Sequence, residues 1–369
     1  MKISELDTPA LLVDREIMMN NIRAMQDRAN RKGVALRPHT KTHKTPAIAL
    51  IQRDCGCKGI AVAKLGEAEV MADAGLDDIF IANEIVGDIK MKRLRKLAQS
   101  IKLSWGIDCP DHVEAAEKVF ASASVKAEVL VEIEVGERRS GIIEESDFLN
   151  LLNSIKKAPH VHLKGIFSHE GHCYNSPDLA TCRKEFIASQ KRTLRFVQIA
   201  KEQGFEIETV SIGSTPSLMH DDFPVLEGIS EFRPGTYVFM DASMANAAGT
   251  LAHCAATVLA TVISRPTPER VILDVGAKGI TMQQRSQGIT ATEGLGTIKG
   301  YDNVYIHDVY DEHAIIYNKT FHDAVKIGDK VEIIPVHICP TCNLQEKLYL
   351  TSCGEVVAEL PVLARSKLQ

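Results

Sequence analysis

No stretch of this sequence stays apolar for the roughly 20 residues a helix needs to cross a bilayer. The longest candidates, "VILDVGA" and "CAATVLATVI", reach half that length at most, and the amino terminus "MKISELDTPA" has no apolar signal core. Neither a membrane span nor an export signal is expected, and the expected compartment is the cytoplasm. A basic surplus is missing too, since 43 Lys and Arg stand against 48 Asp and Glu, a formal charge of -5. Phosphate backbones and anionic lipids are held by a clustered basic face, so nucleic acid and membrane are excluded as expected partners in favour of a small molecule. Low-complexity tracts, Pro/Ser-rich linkers and internal repeats are also absent. The nine cysteines are odd in number and irregularly spread. They read as reduced thiols, one or two of them available as ligands, and not as a disulfide framework.

What is present is length and a regular alternation. A chain of 369 residues has room for two domains or for an α/β barrel with an appendage. From about residue 17 to residue 240, short β-branched or apolar runs alternate with segments of helical period. Eight candidate strands are "GVALRP", "GIAVA", "DIFIA", "KLSWGID", "KAEVLVEIEV", "HLKGIFS", "ETVSIGS" and "ISEFRPG". Eight βα units favour a closed (β/α)8 TIM-type barrel over an open doubly wound sheet. After residue 245 strand-like runs follow one another with little helical period, as in "NVYIHDVYDEHAIIYN" and "VEIIPVHICPTC". The expected fold is therefore α/β, a barrel over residues 8-243 followed by a mainly-β domain over 244-369, which residues 1-7 could join.

Barrel enzymes place their chemistry at the carboxyl ends of the strands. Applied here, that rule collects Lys41, Asn83, Asp108, Arg139, His169, His172, Tyr174, Gly213, Ser214, Thr215, Thr236 and Tyr237. Lys41 lies in "RPHTKTHK", where neighbouring cations would lower the pKa of an amine and ready it to form a Schiff base. Lys44, three residues on, competes for that role. "SIGSTPS" puts Gly and small hydroxyls at a strand-to-helix turn, the setting of a phosphate cradle or of an ordinary helix cap. "SHEGHCY" lacks the spacing of a helical zincin motif. "VHICPTCN" has a Cys-x-x-Cys with no second pair to complete a four-thiolate site. On a strand, His337 and Cys339 would face the same side, offering an imidazole and a thiolate suited to zinc with open positions for water and substrate.

Together "DTPALLVD", "LRPHTKTHK", "GERRSG", "GHCY", "GSTPS", "EFRPGTYVFMD" and "HICPTCN" resemble the D-serine dehydratase and D-threonine aldolase family, fold-type III pyridoxal phosphate enzymes related to alanine racemase. The resemblance covers nearly the whole chain and implies Lys41, not Lys44, as the Schiff-base residue, with His39 and His43 shaping the site. It implies Arg139 at the cofactor's phenolic oxygen, His169 and Tyr174 near the ring, and Gly213, Ser214 and Thr215 at the phosphate together with Tyr237. His337 and Cys339 become the metal ligands. Aldolase members of the family typically show His-Cys-Asp there, and eukaryotic D-serine dehydratases show His-x-Cys. The sequence His337-Ile338-Cys339 thus implies a zinc-dependent D-serine dehydratase acting by β-elimination. The alternatives are a D-threonine or D-3-hydroxyaspartate aldolase with Mn2+ or Mg2+, a D-threo-3-hydroxyaspartate dehydratase, and a non-catalytic pyridoxal phosphate carrier. Relatives are dimers, so a homodimer is implied.

Overall fold

The computed structural model describes residues 1–369. The chain starts with β1 (Ala10–Asp14) and α1 (Arg15–Lys32), whose N-cap Asp14 accepts from the Ile17 amide and whose C-cap Gly33 is left-handed, as its sequence requires. Eight strand-helix units follow. They are β2 (Ala35–Leu36) and α2 (Pro46–Asp54), β3 (Ile60–Val62) and α3 (Leu65–Asp73), β4 (Asp78–Glu84) and α4 (Asp88–Ala98), then β5 (Lys102–Ile107) and α5 (Pro110–Phe120). Next come β6 (Ala127–Ile133) and α6 (Glu145–Lys156), β7 (Val161–Ser168) and α7 (Leu179–Glu202), β8 (Thr209–Ile212) and the single turn α8 (Thr215–Leu218), and β9 (Glu231–Phe232) with α9 (Ala242–Ala248). Each of the eight expected strands is present, all neighbours are parallel, and the order is β2-β9-β8-β7-β6-β5-β4-β3. A parallel bridge between His39 and Ala61 joins β2 to β3 and closes the barrel.

Alternation along the strands separates two cores. Ile79 and Ile81 face the helices and belong to the main apolar cluster, whereas Phe80 points inward and meets Ala61, Leu130 and Phe167 inside the barrel. A side chain at Gly106 would put its Cβ 2.9 Å from Phe167, so the absence of one there lets the ring fill the lumen. The rest of the lumen is polar and paired. Asp78 Oδ1 lies 2.6 Å from Arg37, Arg37 Nε donates to Glu231 at 2.8 Å, Ser211 Oγ donates to Glu231 at 2.9 Å, and Arg233 donates to Ser211 Oγ at 2.6 Å. This chain of charges climbs the barrel and ends with Arg233 at the mouth.

The remaining elements are β10 (Ala256–Thr267), β11 (Arg270–Leu273), β12 (Gly296–Ile298), β13 (Asp308–Val309), β14 (Ala314–Tyr317), α10 (Lys319–Ala324), β15 (Lys330–Pro335), α11 (Ile338–Leu344), β16 (Lys347–Ser352) and β17 (Glu355–Pro361). They form the mainly-β part, with the path β13-β14-β11-β10-β1-β16-β17 and β15 pairing with both β10 and β12. Two features differ from the sequence reading. Residues 10–14, grouped there with the barrel, pair antiparallel with β10 and parallel with β16, so the second sheet takes strands from both ends of the chain. The "VEIIPVHICPTC" run is not strand throughout. It is strand to Pro335 and helix from Ile338, because Pro340, which has no N–H to donate, falls in a first helical turn where none is needed.

Candidate active site at the barrel mouth

The carboxyl ends of the barrel strands surround a cavity of about 380 Å³, within the roughly 300–1,000 Å³ range of small-molecule sites. Lys41, Arg139, His169, Tyr174, Gly213, Ser214 and Thr215 all line it. Three other sequence candidates also reach it, namely His39, Asn83 and Thr236.

The two competing lysines have opposite surroundings. Lys44, held in a left-handed turn (φ 51°), points away; its Nζ lies 3.1 Å from Glu67 Oε1 and donates to Asn343 Oδ1 at 2.9 Å. Lys41 Nζ makes no hydrogen bond or ion pair and faces the cavity. Burial lowers its pKa, and Arg139 and Arg233 push the same way against the opposing pull of Cys339 and Glu137. The amine therefore holds its proton less tightly than an exposed lysine does. His39 and His169 are likewise held well below the usual imidazole range, first by burial and then by Lys41. His169 Nδ1 donates to the Gly213 carbonyl at 2.6 Å, fixing the ring against the turn after β8. His43 is fully buried against Gln52 and the Thr45 amide and does not line the cavity.

One wall is acidic. Arg139 reaches Glu132 Oε1 at 3.4 Å and Glu137 Oε2 at 3.3 Å, and Ser140 Oγ donates to Glu132 at 2.9 Å. Beside them, Glu84 is pushed up to about 8 by burial and by Glu132, and its Oε1 is buried without a partner. Opposite, the Arg233 guanidinium donates to Ser211 Oγ and to the Ser168 carbonyl and lies 5.1 Å from the Phe167 ring. Sequence reading missed Glu84, Glu132 and Arg233. Their only signal was a charge inside an apolar strand run, on the face that alternation turns inward.

At the turn after β8, Ser214 is the N-cap of α8. A Cβ on Gly213 would come within 2.8 Å of the Arg233 amide, so only glycine lets the two turns approach. Buried Glu170 accepts from Ser217 Oγ at 2.6 Å, and Ser217 Oγ lies 2.8 Å from Ser214 Oγ. Thr215 Oγ1 accepts from the Tyr237 amide at 3.2 Å. The Tyr237 side chain points elsewhere, its hydroxyl accepting from Gln52 Nε2 at 3.0 Å, and it does not line the cavity.

Cys339 and His337 sit at the start of α11, so the strand alternation expected to turn them to one side does not apply. Cys339 Sγ lies 3.3 Å from Oγ1 of Thr42, the residue after Lys41, and 3.7 Å from Oγ1 of Thr236, which lines the cavity. Burial raises its pKa, with Thr42 and Lys41 opposing. His337 is brought down to about 4 by burial. Its Nδ1 donates to Gln283 Oε1 at 2.8 Å, which leaves Nε2 with its lone pair free. An unprotonated imidazole and a thiol fit a soft or borderline divalent ion. Asp108 and His172 stand apart: the former accepts from the Gly141 amide at 3.3 Å and the latter approaches Ser189.

A closed βα barrel with a free amine at its mouth, a turn at the start of α8 and an arginine on the facing wall fits the aldehyde, phosphate and phenolic oxygen of pyridoxal phosphate. That is the architecture of the fold-type III pyridoxal phosphate enzymes. Residues 13–256 match the family model for the N-terminal domain of alanine racemase, and residues 255–351 match one for a serine dehydratase domain. The chain is 33% identical to the D-threonine aldolase of an Arthrobacter species, over 96% of this chain and 91% of that protein. It is 29% identical to the D-serine dehydratase of Dictyostelium discoideum, covering 93% and 92% of the two chains. The solved D-threo-3-hydroxyaspartate dehydratase of Delftia superposes with a TM-score of 0.91 at 25% identity over 98% of each chain. The protein belongs to this D-threonine aldolase and D-serine dehydratase family of lyases.

Proposed function

We propose that the protein is a pyridoxal phosphate- and zinc-dependent D-serine dehydratase that converts a D-3-hydroxy amino acid to a 2-oxo acid and ammonia by β-elimination, acting in the cytoplasm as a homodimer. The observation that carries this reading is the Cys339 thiol as second donor beside His337, close to the free amine of Lys41. A solved structure of a D-threo-3-hydroxyaspartate dehydratase is a cysteine-to-alanine mutant in a metal-free form, which agrees with a thiolate acting as ligand.

When bound, pyridoxal phosphate supplies an aldehyde for covalent attachment and an electron sink for the substrate's α-carbon. Its phosphate would be held at Gly213, Ser214 and Thr215, and its phenolic oxygen by Arg139. Lys41 Nζ, whose pKa burial and the nearby arginines lower, takes the α-proton. His39 and His169, unprotonated for the same reasons, do not compete as acids. A divalent ion on His337 and Cys339 would supply Lewis acidity toward the β-hydroxyl. Gln283 orients His337 for that purpose.

The higher identity to a D-threonine aldolase favours a second reading, retro-aldol cleavage to glycine and an aldehyde. Incubation with D-serine, D-threonine and D-threo-3-hydroxyaspartate, with product assays for 2-oxo acid and for aldehyde before and after chelation, separates the two. Oxo acid formation that chelation abolishes and zinc restores supports the dehydratase. Aldehyde as the main product, or full activity without metal, overturns it.

A further inference from the structure

All but one of the cations around the cavity have partners or a chemical task. Lys44 is paired with Glu67, Arg139 with Glu132 and Glu137, and Arg233 with Ser211 and the Ser168 carbonyl. Lys41 is the amine. The exception is Arg285, in the segment between β11 and β12, which lies behind the lining residue Tyr174 and is not itself part of the lining. That segment is tied down on both sides: Gln283 bonds His337, the Ile289 amide donates to the Ser176 carbonyl at 2.7 Å, and Thr290 Oγ1 donates to the Tyr174 carbonyl at 2.8 Å. The Arg285 carbonyl itself accepts from the Thr292 amide at 2.8 Å.

Its backbone is thus fixed while its guanidinium forms no hydrogen bond or ion pair, and Nε is buried without a partner. It lies 4.6 Å from the centroid of the Tyr174 ring, the ring that lines the cavity. Asp241, the carboxylate on which the Arg285 charge acts, is already used, accepting from the amides of Met244 at 2.9 Å and Ile338 at 3.1 Å. A buried guanidinium donor left unmade costs free energy, and the planar fork matches a carboxylate in bidentate fashion.

We propose that Arg285 is a specificity-determining residue that receives a carboxylate of the amino acid substrate. The inference rests on the reading of the site as one for a D-amino acid. Such a substrate brings its amine to the position of Lys41, and its carboxylate then needs a cation within a few ångströms that is not already neutralised. Arg285 is the unpaired cation beside the cavity-lining Tyr174. Its chemistry admits either the α-carboxylate or the second carboxylate of a 3-hydroxyaspartate.

The test uses the cofactor-loaded enzyme and ligands that cannot undergo elimination or cleavage: D-alanine, D-aspartate and ethylamine, with dissociation constants read from the change in cofactor absorption. Arg285→Gln should weaken D-alanine or D-aspartate at least tenfold, leave ethylamine within twofold, and leave the thermal midpoint unchanged. Arg285→Lys should recover part of the loss. Weakening of both amino acids identifies the α-carboxylate, and weakening of D-aspartate alone identifies the second one. Unchanged constants for both amino acids, or an equal loss for ethylamine, overturn the proposal. Because no product is formed, the result is independent of whether the lyase reaction is elimination or cleavage.

Discussion

Lys41 and Lys44 differ in what their loss should do, and the surroundings of each set the size of the effect. The Lys44 and Glu67 side chains are 9% and 2% exposed and meet at 3.1 Å. Lys44→Ala leaves the Glu67 carboxylate buried beside a void, an error that typically costs about 3–5 kcal/mol. Glu67 keeps the Ala63 amide as a donor at 2.8 Å, which argues for the lower end, about 3 kcal/mol. With an unfolding entropy of roughly 2.1 cal/mol/K per residue, 369 residues turn that into a Tm lower by about 4 °C. Cofactor absorption should persist. Lys41→Ala removes an amine with no partner to orphan, so the cofactor-free protein should keep its Tm within about 1 °C, while visible absorption of lysine-bound cofactor disappears. Differential scanning calorimetry on cofactor-free protein and absorption spectra after reconstitution measure both quantities. A Lys44→Ala protein that loses the cofactor signal while Lys41→Ala retains it refutes the assignment, and a Lys44→Ala protein as stable as the parent refutes the energetics.

Two further outcomes follow from the site. Cys339→Asp exchanges a thiolate for a harder ligand and should move metal preference from zinc toward manganese. Weaker assistance to the leaving hydroxide should lower kcat for elimination by more than tenfold, roughly 1.4 kcal/mol, and raise the aldehyde-to-oxo-acid ratio from D-threonine; an unchanged ratio with both metals removes the basis for preferring dehydratase. Glu84 tests the acidic wall. Its folded value of about 8 lies above the ordinary 4.5, so the folded state binds its proton more tightly and stability is lost as pH rises from about 5 through 8. After discounting for solvent at this half-buried site, the loss is on the order of 1–2 kcal/mol. A thermal scan at pH 6 and pH 9 should show a decline that Glu84→Gln reduces, and equal declines in the two proteins contradict a raised Glu84 value.

The alternation of strands and helices was legible because it rests on local periodicity: β4 reads "DIFIANE", inward and outward residues in turn, and α1 starts at Asp14 and stops at Gly33 without help from distant residues. The motif residues at the strand ends were legible for the same reason, since a barrel puts strand ends together whatever the loops do. Lys41, Arg139, His169, Tyr174 and the Gly213 turn line one cavity accordingly. Tertiary structure alone decided matters that depend on residues far apart in the chain. Lys44 is turned away by Glu67 and by Asn343, 299 positions on. Tyr237 faces Gln52, 185 positions earlier, while its neighbour Thr236 faces the cavity. β1 joins the second sheet because β10 and β16 offer it edges, which no local pattern records. Arg285 was invisible in a polar loop, since an unpaired guanidinium is recognised only once the partners of Lys44, Arg139 and Arg233 are known.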